Sequence, residues 1–483
     1  MSANSLVTTI GLEVHVELKT ATKMFCGCPV GFGGEPNTRV CPVCLGHPGT
    51  LPTTNERAVE FTTKIAMALG CDIAPNSIFH RKNYFYPDMP KNYQISQYDL
   101  PIGVNGALEV ESDGGAHRVG ITRVHLEEDT GKSIHVGGGG RIHEADHSLE
   151  DFNRAGTPLV EIVSEPDITS PDMARGYASE LRSILEYLGV SDVKMEEGSM
   201  RVDANISVAP PGERGVKVEI KNMNSLRSLA RALEYEQRRQ AEVISRGGTI
   251  VQSTRHWDEK ANKTQELRTK EEAFDYRYFP EPDLVPIQPS VEWLRQLREE
   301  LPELPAERRK RYEGLGLSAY DAQVLTSSKS LGQLFDEALG AVRTADAKQV
   351  ANWVTNDLTG LLAARPDRED VPIAGAHLAE LVDMVAEGAI SKSQGQQLLG
   401  RILDTGSGAK ALAEELGMRQ VSDTGALEEA IEEALAAHPD VAARIAAGDN
   451  KPFGFLMGQV MKATKGQGNP KVVTELLRKK LKG

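Results

Sequence analysis

The sequence is short of several things, and each shortage removes a class of protein. No run of eighteen apolar residues occurs in the 483, so no membrane-spanning helix is expected. The opening MSANSLVTTIGLEV has no basic stretch followed by an apolar one, so no secretory signal is expected and the cytoplasm is the expected compartment. Five cysteines are too few for a disulfide framework in a chain of this length. Positive charge is in deficit: 55 Lys and Arg face 69 Asp and Glu, a formal net charge of −14. That excludes a protein coating nucleic acid through bulk electrostatics, though not one with local basic patches. No repeat with a period of twenty to fifty residues is present, which excludes a solenoid.

What is there is an ordinary globular composition, 40% apolar and 26% charged, in a chain long enough for about two to four domains. Up to about residue 293, strand-like alternation mixes with a few helices and many Gly, Pro and Asn turns, which predicts an α+β domain over 1–293. The proline-dense run FPEPDLVPIQP (279–289) excludes regular helix and reads as an extended connector. Beyond it the period becomes 3.6 and Ala, Leu, Glu and Arg dominate. This predicts an all-helical domain over 294–408 and, past the break at Gly406–Gly408, a helical tail over 409–483. Residues 451–483 hold eight Lys or Arg and one Glu, which suits either a phosphate-contacting arm or a solvated helix end.

Four cysteines cluster. Cys26-x-Cys28 and Cys41-x-x-Cys44 form two close pairs of soft ligands around a loop, the pattern of a closed, structural zinc site. A redox pair would leave two of them unexplained. Cys71, in an apolar segment, reads as core. Two motifs mislead. His143-Glu144-x-x-His147 matches the metalloprotease helix, but four glycines precede it and the segment reads as a loop. The stretch DTGKS (129–133) resembles the end of a P-loop, but position 126 is Leu where that motif needs Gly.

Several strands carry charge on one face. In GLEVHVEL, Leu12, Val14, Val16 and Leu18 alternate with Glu13, His15 and Glu17. In RVDANISV, Arg201, Asp203 and Asn205 share a face; in VKVEIKN, Lys217, Glu219 and Lys221 do. The strand ITRVHLEED ends in Glu127, Glu128 and Asp129, and TPLVEIV sets Glu161 among β-branched residues. One such strand is a wet sheet face. Five carrying Glu, His, Asp, Arg and Lys rather than Thr and Ser predict a curved antiparallel sheet whose concave side holds a divalent ion and nucleotide phosphates. The loop FHRKNYFYPDMPKNYQISQYD interleaves Arg81, Lys82 and Lys91 with Tyr84, Phe85, Tyr86 and Tyr93, which suits phosphate neutralisation and base stacking.

The segments GLEVHVEL, RKNYFYPDMPKNYQISQYD, HLEEDTGKS, GTPLVEIVSEPD, MEEGSMRVDANISV, EIKNMNSL and DYRYFPEPDLVP resemble the B subunit of aspartyl/glutamyl-tRNA amidotransferase, the GatB family. The tail GFLMGQVMKATKGQGNP resembles that family's YqeY-like helical end, so the resemblance runs over essentially the whole chain. It implies a cradle similar to the catalytic sheet of glutamine synthetase and guanidino kinases. It implies work with A and C subunits as a heterotrimer on tRNA(Gln) or tRNA(Asn) mischarged with Glu or Asp. ATP phosphorylates the side-chain carboxylate, and ammonia channelled from glutamine hydrolysis on the A subunit displaces the phosphate, a carbon–nitrogen ligase reaction. It further implies that Mg2+ is held by His15, Glu128 and Glu161, that Asp203 lies in the nucleotide pocket, and that the cysteines hold zinc as in part of the family. The 132–153 insert carries no assigned chemistry.

On that basis Glu13, His15, Glu128 and Glu161 are the expected catalytic and metal-holding groups. Lys82, Asn83, Tyr84, Lys91, Arg201 and Asp203 are expected to bind ATP and substrate. Glu13 and Glu17 are also placed to deprotonate incoming ammonium. Two rival readings remain at this level: a zinc-stapled RNA-binding adaptor, which leaves those acids without a task, and a small-molecule kinase, which has no use for the helical half.

Overall fold

The computed structural model describes residues 6–112, 114–137, 145–268, 273–365, 371–418, 424–446, 452–464 and 470–482. The chain divides into two units, Met1–Pro305 and Ala306–Gly483. The first is mixed α/β. Its strands are β1 (Val7–Glu17), β2 (Asp72–Ile73), β3 (His80–Asn83), β4 (Tyr93–Ser96), β5 (Gly103–Ser112), β6 (Gly115–Glu128), β7 (Lys132–Val136), β8 (His147–Asp151), β9 (Pro158–Ser164), β10 (Met200–Ala209), β11 (Val218–Lys221), β12 (Ser253–Asp258), β13 (Lys263–Arg268) and β14 (Phe279–Pro280). Nine of them form one sheet in the order β13-β12-β11-β10-β1-β9-β6-β5-β2, antiparallel except where β11 meets β12. A second, three-stranded sheet runs β14-β3-β4, and β7 pairs with β8 in a hairpin. The proline-dense run therefore begins as a strand: Phe279 and Pro280 pair with Arg81 and His80.

Period-two alternation fixes what each face of the large sheet does. Along β1, Ile10, Leu12, Val14 and Val16 are fully buried, while Glu13, His15 and Glu17 take the other face. The apolar face is covered by α1 (Glu56–Ala68), α2 (Pro171–Leu188) and α3 (Leu226–Ser245), whose buried residues join the same core. Helix α2 starts where the Ser170 hydroxyl accepts from Met173 N and Pro171 fixes the first turn; it stops at Gly189 in the left-handed region, φ 69°. Its Met173, Ala174, Tyr177, Ala178, Leu181 and Leu185 recur at helical spacing and bury against the sheet. With one face sealed by helices, the charged face is the one left for chemistry.

In the second unit the described elements are helices. One core gathers Phe335, Trp353, Leu378, Leu398 and Ile402; another gathers Leu427, Ile431, Leu456, Val460, Val473 and Leu477. Gly406, φ 69°, ends the helix Lys392–Thr405 where the sequence breaks. The next helix, Ala409–Glu415, still packs Ala409, Leu412 and Ala413 into the first of these cores, so the change of core falls after Met418 rather than at 408. Among the described residues no helix is long and apolar enough to cross a membrane.

Candidate active site

Strand register builds the site. His15 on β1 sits opposite Arg201 on β10 and Glu161 on β9, and Glu161 sits opposite His125 on β6. Four charged or titratable side chains thus stand in one row across the polar face. Glu127, two residues beyond His125, points the same way from the next row. The His15 Nε2 lies 3.5 Å from a Glu161 oxygen and 4.0 Å from a Glu127 oxygen; the His125 Nε2 lies 3.1 Å and 3.6 Å from the same two carboxylates. The Ser96 hydroxyl, at the end of β4, donates to Glu127 at 3.0 Å.

Burial alone would lower His125, but the Glu161 and Glu127 carboxylates outweigh it and push the imidazole up to about 9. His15 is raised for the same reason. Burial would raise Glu161, but His125 and His15 hold its carboxyl well below the usual range, and Glu127 is lowered likewise. Two buried carboxylates are therefore kept ionised beside imidazoles.

Could these residues hold a magnesium ion? His15, Glu127 and Glu161 each offer a ligand atom, all within 4.8 Å of one another. Octahedral ligands at ~2.1 Å lie roughly 3.0 to 4.2 Å apart. The 3.5 and 4.0 Å separations from the His15 nitrogen fall within that span. The set fits a small divalent cation. It differs from the expected one in a single member. Glu128 leaves the opposite face of β6, pairs with the Lys91 ammonium and accepts from Ile95 N at 2.9 Å. On the expected trio the structure brings His15 and Glu161 together and replaces Glu128 by Glu127.

The other expected residues divide among separate tasks. Glu13, one row from His15, accepts from Asn205 at 2.8 Å. Arg201 is 2.9 Å from buried Asp129 and 3.6 Å from Glu17, so its charge is already engaged by protein carboxylates. Asp203 is 2.5 Å from Lys221. Lys82, Asn83 and Tyr84 lie on or beside β3 in the smaller sheet: Lys82 Nζ stands 4.8 Å over the Tyr276 ring, Asn83 donates to the carbonyls of Tyr276 and Arg277, and Tyr84 stacks on Tyr86. His125, Glu127 and Ser96 join the site without having been expected there. Alternation held the signal for the first two, since His125 and Glu127 fall opposite the apolar Val124 and Leu126; nothing local marked Ser96.

Next to Lys91 lies the cysteine knuckle. The four sulfurs of Cys26, Cys28, Cys41 and Cys44 offer ligands within 4.8 Å of one another. Tetrahedral zinc with bonds of ~2.3 Å sets sulfurs roughly 3.8 Å apart, and Cys41 Sγ to Cys44 Sγ is 3.9 Å. The Cys26 contact, the Cys41 backbone and Lys23 hold Cys44 down at about 4, in the thiolate range, against the opposing effect of burial. Lys23 is 1% exposed, with its ammonium 3.7 Å from Cys44 Sγ. The site fits a metal such as zinc. The knuckle also touches the cradle: Gly46 takes a left-handed φ of 67° and leaves no room for a side chain, since a Cβ there would meet Lys91 Cγ at 2.5 Å. Of the metalloprotease-like motif, His143 and Glu144 lie outside the described residues, and His147 opens strand β8 rather than sitting in a helix.

Comparison with known proteins decides the family. A family model described as GatB/GatE catalytic domain matches residues 8–295, and one described as GatB domain matches 333–481. The chain belongs to the GatB family. Proteins named as the B subunit of aspartyl/glutamyl-tRNA(Asn/Gln) amidotransferase are similar over nearly the full length. That of Moorella thermoacetica is 52% identical over 476 residues, 98% of this chain and 99% of the relative. That of Geobacter sulfurreducens is 50% identical over 483 residues, 98% and 99%, and that of Brevibacillus brevis is 50% identical over 479 residues, 98% of each. The GatB/GatE catalytic-domain match thus falls within the first unit, which carries the sheet face just described, and the GatB-domain match falls within the second.

Proposed function

We propose that this chain is the B subunit of a tRNA-dependent amidotransferase, acting with A and C subunits as a heterotrimer on Glu-tRNA(Gln), Asp-tRNA(Asn) or both. The near-half identity over 98% of the chain supports the activity, and the observation that carries the chemistry is the cluster of half-buried His15 with buried Glu127 and Glu161 on the open face of the sheet. In this reading the large sheet is a cradle of the glutamine synthetase and guanidino kinase type.

A carboxylate resists amination because its leaving group would be oxide. Transfer of a phosphoryl group from ATP makes an acyl phosphate, from which phosphate leaves when ammonia attacks. That transfer asks the protein for position and charge neutralisation rather than for a nucleophile. His15, Glu127 and Glu161 would hold Mg2+, which supplies positive charge to the phosphates when bound. Lys82, on β3, adds a cation at the margin. Burial opposes the charge of Lys221, but Asp203 and Glu219 favour it, and its ammonium pairs with Asp203 in the nucleotide pocket. Arg201 acts indirectly, holding Asp129 and Glu17 at the edge of the metal centre. Glu13 remains positioned to take a proton from ammonium: a Glu13→Gln complex should lose transamidation with added ammonium at neutral pH, and full activity would remove that role. The cysteine knuckle holds zinc structurally and steadies Lys91 against Glu128.

The deciding experiment is transamidation by the purified heterotrimer, scored separately on Glu-tRNA and Asp-tRNA. Conversion requiring ATP and an amide donor such as glutamine is expected. An ATP-independent reaction, or none on either substrate, overturns the reading.

A further inference from the structure

A pair of tyrosines lies beside the metal centre with no part in the chemistry above. Tyr98 follows β4 and Tyr278 precedes β14; their rings stack with centroids 4.5 Å apart at 13°. Tyr98 is 50% exposed although one face is covered. His80 approaches its ring edge-on at 6.2 Å, and Tyr276 does the same to Tyr278 at 6.1 Å. The backbone beneath is held at a cost. Arg277 has φ 47°, the left-handed region, which a non-glycine residue occupies under strain. The Asn83 amide pins that turn by donating to the Tyr276 and Arg277 carbonyls at 2.9 and 2.8 Å. Strain of this kind, fixing a half-buried Tyr278 beneath an exposed Tyr98, is poorly explained by packing.

The stack borders the reacting centre on two counts. Ser96, which donates to Glu127, is two residues before Tyr98, at most about 7 Å of chain. The Tyr278 hydroxyl is raised by burial and by the Glu127 and Glu161 carboxylates, against Arg123, so it lies within their field. Two cations stand nearby: Lys82 lies over the ring of Tyr276, which meets Tyr278 edge-on, and Arg123, within the field of Tyr278, is 3.9 Å from Glu161.

We propose that the Tyr98–Tyr278 stack is a purine platform, on whose open Tyr98 face a substrate adenine lies while the attached phosphates or aminoacyl arm reach the His15–Glu127–Glu161 cluster. The inference rests on the amidotransferase reading and deepens it. Flat aromatic rings take bases of any identity, and flanking cations suit the phosphates that accompany them. Two substrates carry the same ring. One is ATP; the other is the terminal adenosine of tRNA, whose ribose bears the esterified amino acid. A base, its ribose and a Glu or Asp side chain together span on the order of 10 Å, the reach of about three extended residues, which suits a base seated on Tyr98 and a carboxylate at the metal. Asn83 is then a positioning residue, acting through the 276–278 turn.

The test uses the intact heterotrimer with Tyr98→Leu, Tyr98→Phe and Tyr98→Trp, each checked for assembly and melting temperature. Loss of one base stack raises KM about five- to a hundredfold. Tyr98→Leu should do this for one purine-bearing substrate with kcat nearly unchanged, while Tyr98→Phe and Tyr98→Trp stay near wild type. A rise confined to aminoacyl-tRNA assigns the platform to the terminal adenosine; a rise confined to ATP assigns it to the nucleotide. Fluorescence gained in Tyr98→Trp should also be quenched by whichever substrate stacks there. A working wild-type complex whose Tyr98→Leu form keeps both KM values overturns the platform alone. A wild-type complex that amidates neither aminoacyl-tRNA overturns the underlying reading, and quenching in Tyr98→Trp by ATP and by tRNA then decides the platform by itself.

Discussion

Adjacent acids on β6 make a sharp experiment, because Glu127 and Glu128 are chemically identical and leave opposite faces of the sheet. Replacing Glu127 by Gln removes one of two carboxylates from the proposed ion site while preserving shape. A divalent ion and a carboxylate oxygen at ~2.1 Å attract by about 4 kcal/mol even at the dielectric of water, which is about a thousandfold in affinity. Glu128 sits roughly 10 Å off across the pleat, where the same arithmetic gives about 0.8 kcal/mol, less than fivefold. Glu128→Gln also breaks a buried ion pair with Lys91, both side chains under a tenth exposed. Leaving one charge of such a pair unmatched costs about 3–5 kcal/mol of stability. The two variants should therefore separate in ion affinity: Glu127→Gln loses Mn2+ or Mg2+ binding by calorimetry, whereas Glu128→Gln binds the ion nearly normally although it melts early. Equal losses of ion affinity, or tight binding retained in Glu127→Gln, would refute the assignment of Glu127 over Glu128.

Three further outcomes are expected. Cys44→Ser should abolish bound zinc by elemental analysis and lower the melting temperature, since a closed thiolate site contributes folding energy directly; undiminished zinc would exclude the knuckle as the site. Asp383 accepts from the backbone N–H groups of Arg343, Thr344 and Ala345 at 2.8, 3.0 and 3.0 Å, and although burial opposes it these bonds hold its carboxyl below the ordinary range. A depressed carboxyl stabilises above the unfolded value near ~3.9 and loses that contribution as pH falls through its folded value; Asp383→Asn, in a largely solvated position, should thus cost only about 1 kcal/mol at neutral pH, with the gap from wild type closing in acid, and a gap that stays constant with pH would contradict this. Deleting 424–483 removes the core of Leu427, Ile431, Leu456, Val460, Val473 and Leu477 whole and should weaken tRNA binding at moderate salt without altering zinc content; unchanged affinity would detach the basic tail from tRNA.

Much of the first unit was legible because its strands keep strict period two over a sealed core. The faces of β1 and β10 could be assigned residue by residue, and four cysteines at that spacing needed no context. Local pattern fell short where a side chain's partner is distant in sequence. Arg201 was expected to neutralise phosphate and Asp203 to lie in the nucleotide pocket, and long-range folding gives them Asp129 and Lys221 as partners. Tyr98 and Tyr278 meet across 180 residues of chain, through a turn strained at Arg277, and no periodicity announces that.

Glu128 shows how the two kinds of reading compete. Alternation along HLEED places it on the side of Val124 and Leu126, which are fully buried, and so away from His15 and Glu161; the resemblance implied it as a magnesium ligand, the middle acid of that stretch. Sheet geometry is the stronger constraint, since a one-residue slip would bury His125 and Glu127 in the core and expose Leu126. The core-side acid is tolerated because it lies at the strand end, where Lys91, pressed by Gly46 of the cysteine knuckle, can reach it. The strand thus ends with one acid on each face, the first beside His15, His125 and Glu161 and the second paired with Lys91 next to the knuckle. The cysteine knuckle and the large sheet are linked through Lys91, so removing a metal held by the knuckle should disturb Glu128 before it disturbs Glu127.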